Sequence, residues 1–297
     1  MTILKVILLA IVQGLAELLP VSSSAHVVVA EKLMGLDPSS PKMTLLLVML
    51  HTGTMFAVIA YFWNTWKDAY FSSCYAFRHF AVRVLWATLL TGIVGESLKK
   101  IIEKTLFRGA EKAEIELLFS RLDLIAPALA AAGVLILVAG LLERRRTLAT
   151  AIRTEGAGGA LTLRQAGWMG VVQGLALPFR GFSRSGSTIS SGMLTGAAKE
   201  PCERFSFALA IVLTPAVVAM EFMRLLRASQ TSTSAGITAE LHTSLWMSLL
   251  GALFSFVAGL IALKWLSSWL EGGRWYFFGI YCLAASAVVF YLHTRGF

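Results

Sequence analysis

Long apolar stretches separated by polar segments dominate the chain. A helix that crosses a bilayer needs roughly 20 mostly apolar residues. Six stretches meet this requirement, and they cover residues 45–63, 80–98, 122–142, 205–223, 245–266 and 275–292. The pattern therefore predicts an all-α polytopic membrane protein with about six transmembrane helices.

Two shorter apolar stretches, 3–19 and 166–178, follow a different pattern. Each runs into a proline, then a serine cluster, then another short apolar piece at 25–34 or 187–197. Irregular backbone at membrane depth is tolerated only inside protein or beside a water-filled cavity. We therefore expect each stretch to form a re-entrant helix pair rather than a full crossing.

The two short stretches also resemble each other in sequence. Val-Gln-Gly-Leu-Ala at 12–16 recurs at 172–176, and each copy is followed by a proline, a serine cluster and three predicted spans. This pattern indicates an internal duplication within one transmembrane domain, 1–297, with repeat one at about 1–142 and repeat two at about 160–297. An odd number of spans in each repeat predicts two inverted-topology repeats, whose broken helices meet near the midplane.

Composition supports a membrane protein and excludes other classes. Hydrophobic residues make up 57% of the chain and charged residues 14%, whereas a soluble domain carries about 25% charged residues. The net charge of +9 is expected to face anionic lipid headgroups, and we expect no nucleic-acid partner because no such motif is present. The three cysteines fit neither a disulfide framework nor a metal-binding spacing. Lysine and arginine divide evenly between the two faces, so the positive-inside rule does not orient the chain.

The first polar segment combines an acid, hydroxyls and a histidine. Gln13 and Glu17 are four residues apart, hence on one helix face. Ser22 and Ser23 precede His26 across a predicted helix start, a spacing that allows a base-activated hydroxyl nucleophile. Glu17 would orient the imidazole or bind a divalent cation. Alternatively, the serines only cap a helix and His26 bonds a backbone carbonyl.

The second polar segment, 181–188, combines glycines, hydroxyls and Arg184 just before a predicted helix. Exposed N–H groups at a helix start favour an anion, and arginine adds a bidentate fork suited to phosphate. Alternatively, Arg184 reaches the interface and the serines are ordinary caps. For Arg180, the alternative is simple contact with lipid headgroups. The acid and the histidine lie only in the first segment and the arginine cradle only in the second, so we expect complementary halves of one site.

His51 lies within the first full span. A histidine at membrane depth suggests function, but a packed histidine that donates to a helix carbonyl explains the position equally well. The sequence leaves both alternatives open.

Three stretches carry a family resemblance over essentially the whole chain. Residues 13–26 closely resemble the first signature of the undecaprenyl-diphosphate phosphatase (bacitracin-resistance) family, residues 181–188 resemble its second, and 51–54 resemble a recurring family stretch. The resemblance implies hydrolysis of undecaprenyl diphosphate to undecaprenyl phosphate and phosphate, which recycles the lipid carrier of cell-wall synthesis. It also implies Mg²⁺ or Ca²⁺, and an inner-membrane site that faces the periplasm or outer side.

The resemblance assigns roles position by position. Catalytic roles fall on Glu17, Ser23, His26 and Arg184, and Glu17 is also the expected metal ligand. Substrate binding falls on Gln13, Ser22, Ser183, Ser185 and Thr188. Whether Ser23 or a histidine-activated water attacks the phosphorus is left open.

The chain departs from the family pattern at three places. Gln13 stands where some members have glutamate, Arg180 replaces a frequent proline, and Tyr281-Cys282 stands where Tyr-Arg is usual. A phosphate-binding arginine is therefore missing at Cys282, and Arg180 would be a substitute from elsewhere. These departures bear on affinity and rate more than on reaction class.

Two rival functions remain at this point. A polyprenyl-phosphate transporter without hydrolysis would share the inverted repeats and the anion site, and a degenerate member would only bind lipid. The Glu17–His26 pair favours the enzyme, because phosphate binding gains nothing from a nearby acid. The expected partners are a polyprenyl diphosphate lipid and membrane lipids, and a homodimer is left open.

Overall fold

A computed structural model describes residues 2–38, 40–106, 121–150, 161–230, 236–270 and 274–297. Within these ranges the chain forms ten α-helices and no β-strand. The helices are α1 (Ile3–Leu18), α2 (Ser23–Leu33), α3 (Pro41–Tyr70), α4 (Cys74–Leu106), α5 (Leu122–Thr150), α6 (Leu163–Ala176), α7 (Arg184–Leu194), α8 (Lys199–Gln230), α9 (Gly236–Leu270) and α10 (Tyr276–Thr294). The predicted all-α class is confirmed.

Six of the helices are long and apolar enough to cross a membrane: α3, α4, α5, α8, α9 and α10. α10, with 19 residues, has a length of about 28 Å at 1.5 Å per residue, close to the thickness of a bilayer core. Each predicted span lies within or largely within one of these helices. The prediction of about six transmembrane helices is therefore confirmed on length and composition.

The other four helices are short and occur as two pairs, α1–α2 and α6–α7. The second helix of each pair has 11 residues, about 16 Å of helix, which is too short to cross a bilayer. α1 ends where Leu19 turns to an extended conformation (φ −86°, ψ 144°), because the residue before a proline is pushed out of the helical region. The predicted short helices are thus present.

Each short pair bends at a serine in the left-handed region. Ser22 (φ 66°) precedes α2 and Ser183 (φ 42°) precedes α7. Among the described non-glycine residues these are the two with positive φ, a conformation that is uncommon and costs free energy outside glycine. The same strained turn therefore occurs in each copy of the recurring segment, next to the residues expected to do chemistry.

Glycines let the first helix of each pair approach a long helix closely. α1 packs on α9, and α6 packs on α4. A Cβ at Gly14 would lie 2.5 Å from Cβ of Ala258, and a Cβ at Gly174 would lie 2.8 Å from the carbonyl oxygen of Thr91. Small residues at helix contacts are typical of packing inside membranes, and here equivalent glycines serve both copies.

The long helices differ in how closely they pack on one another. α3 lies along α9, whereas α4 and α8 touch only lightly. A cavity lies between α4 and α8, bounded on its other sides by α3 and the two bends of the short pairs. The short pairs therefore present their serine turns to an open space inside the helical body.

A glycine substitution tests the packing of α6 on α4. A Cβ at Gly170 would lie 2.3 Å from the carbonyl oxygen of Ala87, whereas a Cβ at Gly92 on α4 would meet nothing within 4 Å. Both alanine variants gain helix propensity, so Gly170→Ala should lower the stability by about 1–3 kcal/mol from overpacking while Gly92→Ala should not. Thermal unfolding in detergent measures the difference, and equal melting temperatures would contradict this packing.

Candidate active site

The two polar segments meet at a buried ion pair. Nη2 of Arg184, the first residue of α7, lies 2.7 Å from Oε1 of Glu17 near the end of α1. The Glu17 side chain is 3% exposed and that of Arg184 22% exposed. A buried charge needs a partner, so each segment supplies what the other lacks. The structure thus brings the two predicted segments together.

The other carboxylate oxygen of Glu17 holds the nucleophile candidate. Oε2 accepts a hydrogen bond from Oγ of Ser23 at 2.5 Å and another from Nε2 of Gln13 at 2.6 Å. The four-residue spacing of Gln13 and Glu17 thus places them on one face of α1, as predicted. Gln13 is fully buried and does not line the cavity, so in this geometry it holds Glu17 rather than facing a substrate.

His26 does not contact Ser23, contrary to the expected nucleophile–base pair. Its Nδ1 lies 2.8 Å from the backbone carbonyl of Ser22, and its Nε2 lies 2.7 Å from the hydroxyl of Tyr281. The imidazole also stacks on the Tyr281 ring, with centroids 5.7 Å apart. The carbonyl four residues back and the ring on α10 draw the side chain away from Ser23. The alternative, a histidine bonded to a carbonyl, describes the local geometry.

The imidazole beside Ser23 is His51. Its Nε2 lies 3.4 Å from Oγ of Ser23 and 3.3 Å from Oε2 of Glu17, and its Nδ1 lies 2.8 Å from the carbonyl oxygen of Leu47. Sequence reasoning noted a histidine within the first span but had no reason to join it to Ser23. That proximity depends on how α3 packs beside the bend between α1 and α2.

The second segment provides hydroxyls and a helix start. Oγ of Ser183 accepts from the backbone N–H of Gly186 at 3.2 Å and caps α7. Ser22, at the equivalent place before α2, makes no such bond. Thr188 was expected at the phosphate site, but its hydroxyl donates to the Arg184 carbonyl at 2.8 Å and lies 2.6 Å from Oγ of Ser206. Thr188 is fully buried in this helix contact and does not line the cavity.

The cavity that these segments face has a volume of about 480 Å³. One end is polar and includes six of the predicted site residues. The walls from α3 and α8 are largely apolar, whereas α4 contributes Thr91, Glu96 and Lys99. The polar end is formed by Glu17, Ser22, Ser23, Ser183, Arg184 and Ser185. Arg180 and Lys99 also line the cavity, so basic side chains exceed acidic ones along its wall. The space suits an anion at one end and an apolar chain at the other.

Cys282, which stands where the family resemblance places an arginine, lies outside this cavity. Cys282 is fully buried behind the first bend, where its Sγ lies 3.5 Å from the carbonyl oxygen of Pro20. Arg180, in contrast, stands in the cavity wall. Of these two departures from the family pattern, Cys282 therefore lies behind the site and Arg180 lines the cavity.

The donors for a divalent cation are few. Among the described residues, no three His, Cys, Asp or Glu side chains group as a metal site. Oxygens of Glu17 already accept from Arg184, Gln13 and Ser23, while Oε1 of Gln13 and Oγ of Ser22 are buried without a partner. Mg²⁺ and Ca²⁺ take six or more oxygens, and Mg²⁺ often binds through one carboxylate plus substrate phosphates. The residues fit a cation only if a ligand supplies further oxygens.

Comparison with known proteins places the chain among named relatives. A family model described as bacitracin resistance protein BacA matches residues 6–288. Undecaprenyl-diphosphatase 2 of Acinetobacter baylyi is 55% identical over 289 residues, 97% of each chain. Undecaprenyl-diphosphatase of Desulfatibacillum aliphaticivorans is 33% identical over 96% of this chain and 97% of its own. Undecaprenyl-diphosphatase 2 of Burkholderia ambifaria is 30% identical over 98% and 96%.

The ion pair predicts a non-additive effect on stability. Arg184→Ala leaves the buried carboxylate of Glu17 without its cation and should destabilise the protein by about 3–5 kcal/mol. Adding Glu17→Gln removes the uncompensated charge and should restore part of the loss. Unfolding of the single and double variants in detergent measures this coupling.

Arg204→Ala is a matched control, because Arg204 pairs with Glu200, which is 70% exposed. An exposed pair contributes less than about 1 kcal/mol. Equal losses for Arg184→Ala and Arg204→Ala would show that the Glu17–Arg184 pair is not a buried one.

Proposed function

The chain belongs to the bacitracin resistance protein BacA family, and from this premise we propose that it is a membrane phosphatase that hydrolyses undecaprenyl diphosphate to undecaprenyl phosphate and phosphate. The observation that carries the proposal is the hydroxyl of Ser23, which donates to a buried carboxylate whose other oxygen pairs with Arg184, with both Ser23 and Arg184 lining one cavity. The relatives named above are diphosphatases, which does not support a transporter without chemistry or a lipid-binding remnant.

The cavity offers each part of such a lipid a matching environment. The diphosphate would lie at the polar end, between the Arg184 guanidinium and the hydroxyls of Ser183 and Ser185, where the start of α7 favours an anion. Arg180 would add a second guanidinium from the same wall and replace the charge that is absent at Cys282. The polyprenyl chain would lie along the apolar wall of α8.

In the proposed reaction Ser23 is the nucleophile. Its Oγ attacks the terminal phosphorus, the bond from that phosphorus to the bridging oxygen breaks, and undecaprenyl phosphate leaves. Water then attacks the phosphoserine and releases phosphate. Phosphoryl transfer is promoted mainly by positioning and by stabilising the charge on the phosphoryl oxygens, a task that falls to Arg184 and to backbone N–H groups at the start of α7.

His26 supports the site from behind in this proposal. It joins the carbonyl of Ser22, the left-handed residue of the bend, to Tyr281 on α10. The imidazole would therefore fix the turn that presents Ser23. We assign His26 a positioning role, and for that reason we still expect its loss to lower activity.

The order and contacts of the helices around the site support two inverted repeats. We propose that α1–α5 and α6–α10 are the repeats and that α1–α2 and α6–α7 are the re-entrant pairs, whose bends meet inside the membrane. Three features support this: the same order of two short and three long helices, left-handed serines at equivalent places, and equivalent glycines at exchanged contacts. The family resemblance supports a place in the inner membrane with the site open to the periplasmic side.

The divalent cation would arrive with the substrate. Glu17 and Oγ of Ser22, which line the cavity, would hold it on the protein side, and the diphosphate would supply the remaining oxygens. Such a cation neutralises charge that develops on the phosphate. The family resemblance implies Mg²⁺ or Ca²⁺, and both ions prefer oxygen ligands.

Release of phosphate tests the proposed function. Purified protein in detergent should release one phosphate from undecaprenyl diphosphate, and a chelator should stop the reaction. Ser23→Ala should lower the rate by at least about 100-fold, since loss of a nucleophile removes most chemical catalysis, and acid quenching should trap phosphoserine in the wild type. Absence of release by the wild type would refute the phosphatase. Full activity of Ser23→Ala would instead indicate attack by water.

Cation binding can be measured apart from activity. Calorimetric titration of Mg²⁺ or Ca²⁺ into the protein alone should show little heat, whereas titration in the presence of a non-hydrolysable diphosphate lipid should show binding. Ser22→Ala removes the unpartnered hydroxyl oxygen that lines the cavity and should weaken that second binding. Tight binding of the cation to the protein alone would contradict a shared site.

A further inference from the structure

We propose that His51, and not His26, takes the proton of the Ser23 hydroxyl when Ser23 attacks phosphorus. This inference rests on the phosphatase function proposed above and assigns a catalytic group to the same site. It concerns a residue on α3, outside both long polar segments. The case depends on the partners of each imidazole nitrogen.

The partners of His51 leave a proton acceptor directed at Ser23. A carbonyl oxygen only accepts hydrogen bonds, so Nδ1 of His51, 2.8 Å from the Leu47 carbonyl, carries a hydrogen. In the neutral ring the hydrogen is then absent from Nε2. That nitrogen lies 3.4 Å from Oγ of Ser23, and catalytic hydrogen bonds are often this long before substrate binds.

Both nitrogens of His26 are engaged elsewhere. Its Nδ1 donates to the carbonyl of Ser22 at 2.8 Å, and its Nε2 therefore accepts the Tyr281 hydroxyl at 2.7 Å. His26 is not among the residues that line the cavity, whereas His51 is. To receive the proton of Ser23, His26 would have to give up both hydrogen bonds and its stacking on α10.

Glu17 also touches the Ser23 hydroxyl but is a poor final acceptor. Its carboxylate already shares its charge with the Arg184 guanidinium at 2.7 Å and the Gln13 amide at 2.6 Å. A proton on either oxygen would weaken the charge-assisted hydrogen bonds that the carboxylate accepts from these donors. It can, however, orient the hydroxyl, and its Oε2 lies 3.3 Å from Nε2 of His51. Glu17 would therefore stabilise the imidazolium that forms, as the acid does in catalytic triads.

The proposed step balances. The O–H bond of Ser23 breaks and the proton moves to Nε2 of His51 while Oγ bonds to the terminal phosphorus. The bridging oxygen leaves with its electron pair as undecaprenyl phosphate, and the imidazolium returns its proton to a phosphate oxygen. In the second half His51 takes a proton from the attacking water, the bond from Oγ of Ser23 to phosphorus breaks, and the His51 imidazolium returns that proton to Oγ as phosphate leaves.

The experiment compares variants of the two histidines. His51→Ala should lower kcat for phosphate release by about 100-fold or more, within the range for loss of a general base. The His51 side chain is 26% exposed on the cavity, so imidazole added to the buffer can enter the vacated space and should restore part of the rate. Imidazole should not restore His26→Ala, because that ring acts by fixing a turn. His79→Ala, which alters an exposed histidine at the start of α4, is the control for loss of a histidine.

The outcomes separate this inference from the proposed function. Absence of phosphate release by the wild type would refute the function itself. An active wild type with normal His51→Ala activity would overturn the role of His51 alone, as would rescue of His26→Ala but not of His51→Ala. A folded His51→Ala variant, judged by its melting temperature, that imidazole fails to rescue would also overturn it. His51→Gln fills the space, so it should be inactive and unaffected by imidazole.

Discussion

The ion pair between Glu17 and Arg184 is the interaction on which the site depends. Glu17 is buried and Arg184 nearly so in a chain whose helices are largely apolar, so neither charge is tolerated without the other. The pair forms only if the bend after α1 meets the bend before α7. That meeting in turn requires the close helix contacts at Gly14 and Gly174 and the left-handed turns at Ser22 and Ser183. Strain in these turns is offset by the contacts that hold the two bends together.

Local chemistry explains why much of this fold can be predicted from sequence. The lengths of apolar stretches decide which helices cross a membrane, and Pro20 with its serines decides where α1 stops. Membership of Glu17 and Arg184 in one site also follows from sequence, because a buried acid and a buried base in unlike copies of one segment need each other. These inferences use only neighbours along the chain and the cost of burial.

The details that depend on packing between distant helices could not be predicted. The three-residue spacing of Ser23 and His26 suggests a pair, but the Ser22 carbonyl and the Tyr281 ring compete for the imidazole and hold it. His51 reaches Ser23 only through the placement of α3, and Thr188 turns into a contact with Ser206 on α8. A hydroxyl or an imidazole has several partners within reach, and the sequence does not rank them. The light contact between α4 and α8, which leaves room for the cavity, has no local sequence signal either.

The same ion pair also determines which part of the Arg184 side chain remains for a substrate. Arg184 commits Nη2 to Glu17, while its Nη1 is buried without a protein partner. Nη2 is therefore fixed by Glu17, while the exposed part of the Arg184 side chain lines the cavity. A guanidinium has the planar geometry to bind a carboxylate and a phosphate together. A diphosphate that binds this exposed part would not need to break the ion pair, so Glu17 would keep its hydrogen bond to the Ser23 hydroxyl in the proposed complex. The charge pair that joins the two bends would thus also keep Ser23, the proposed nucleophile, oriented by Glu17.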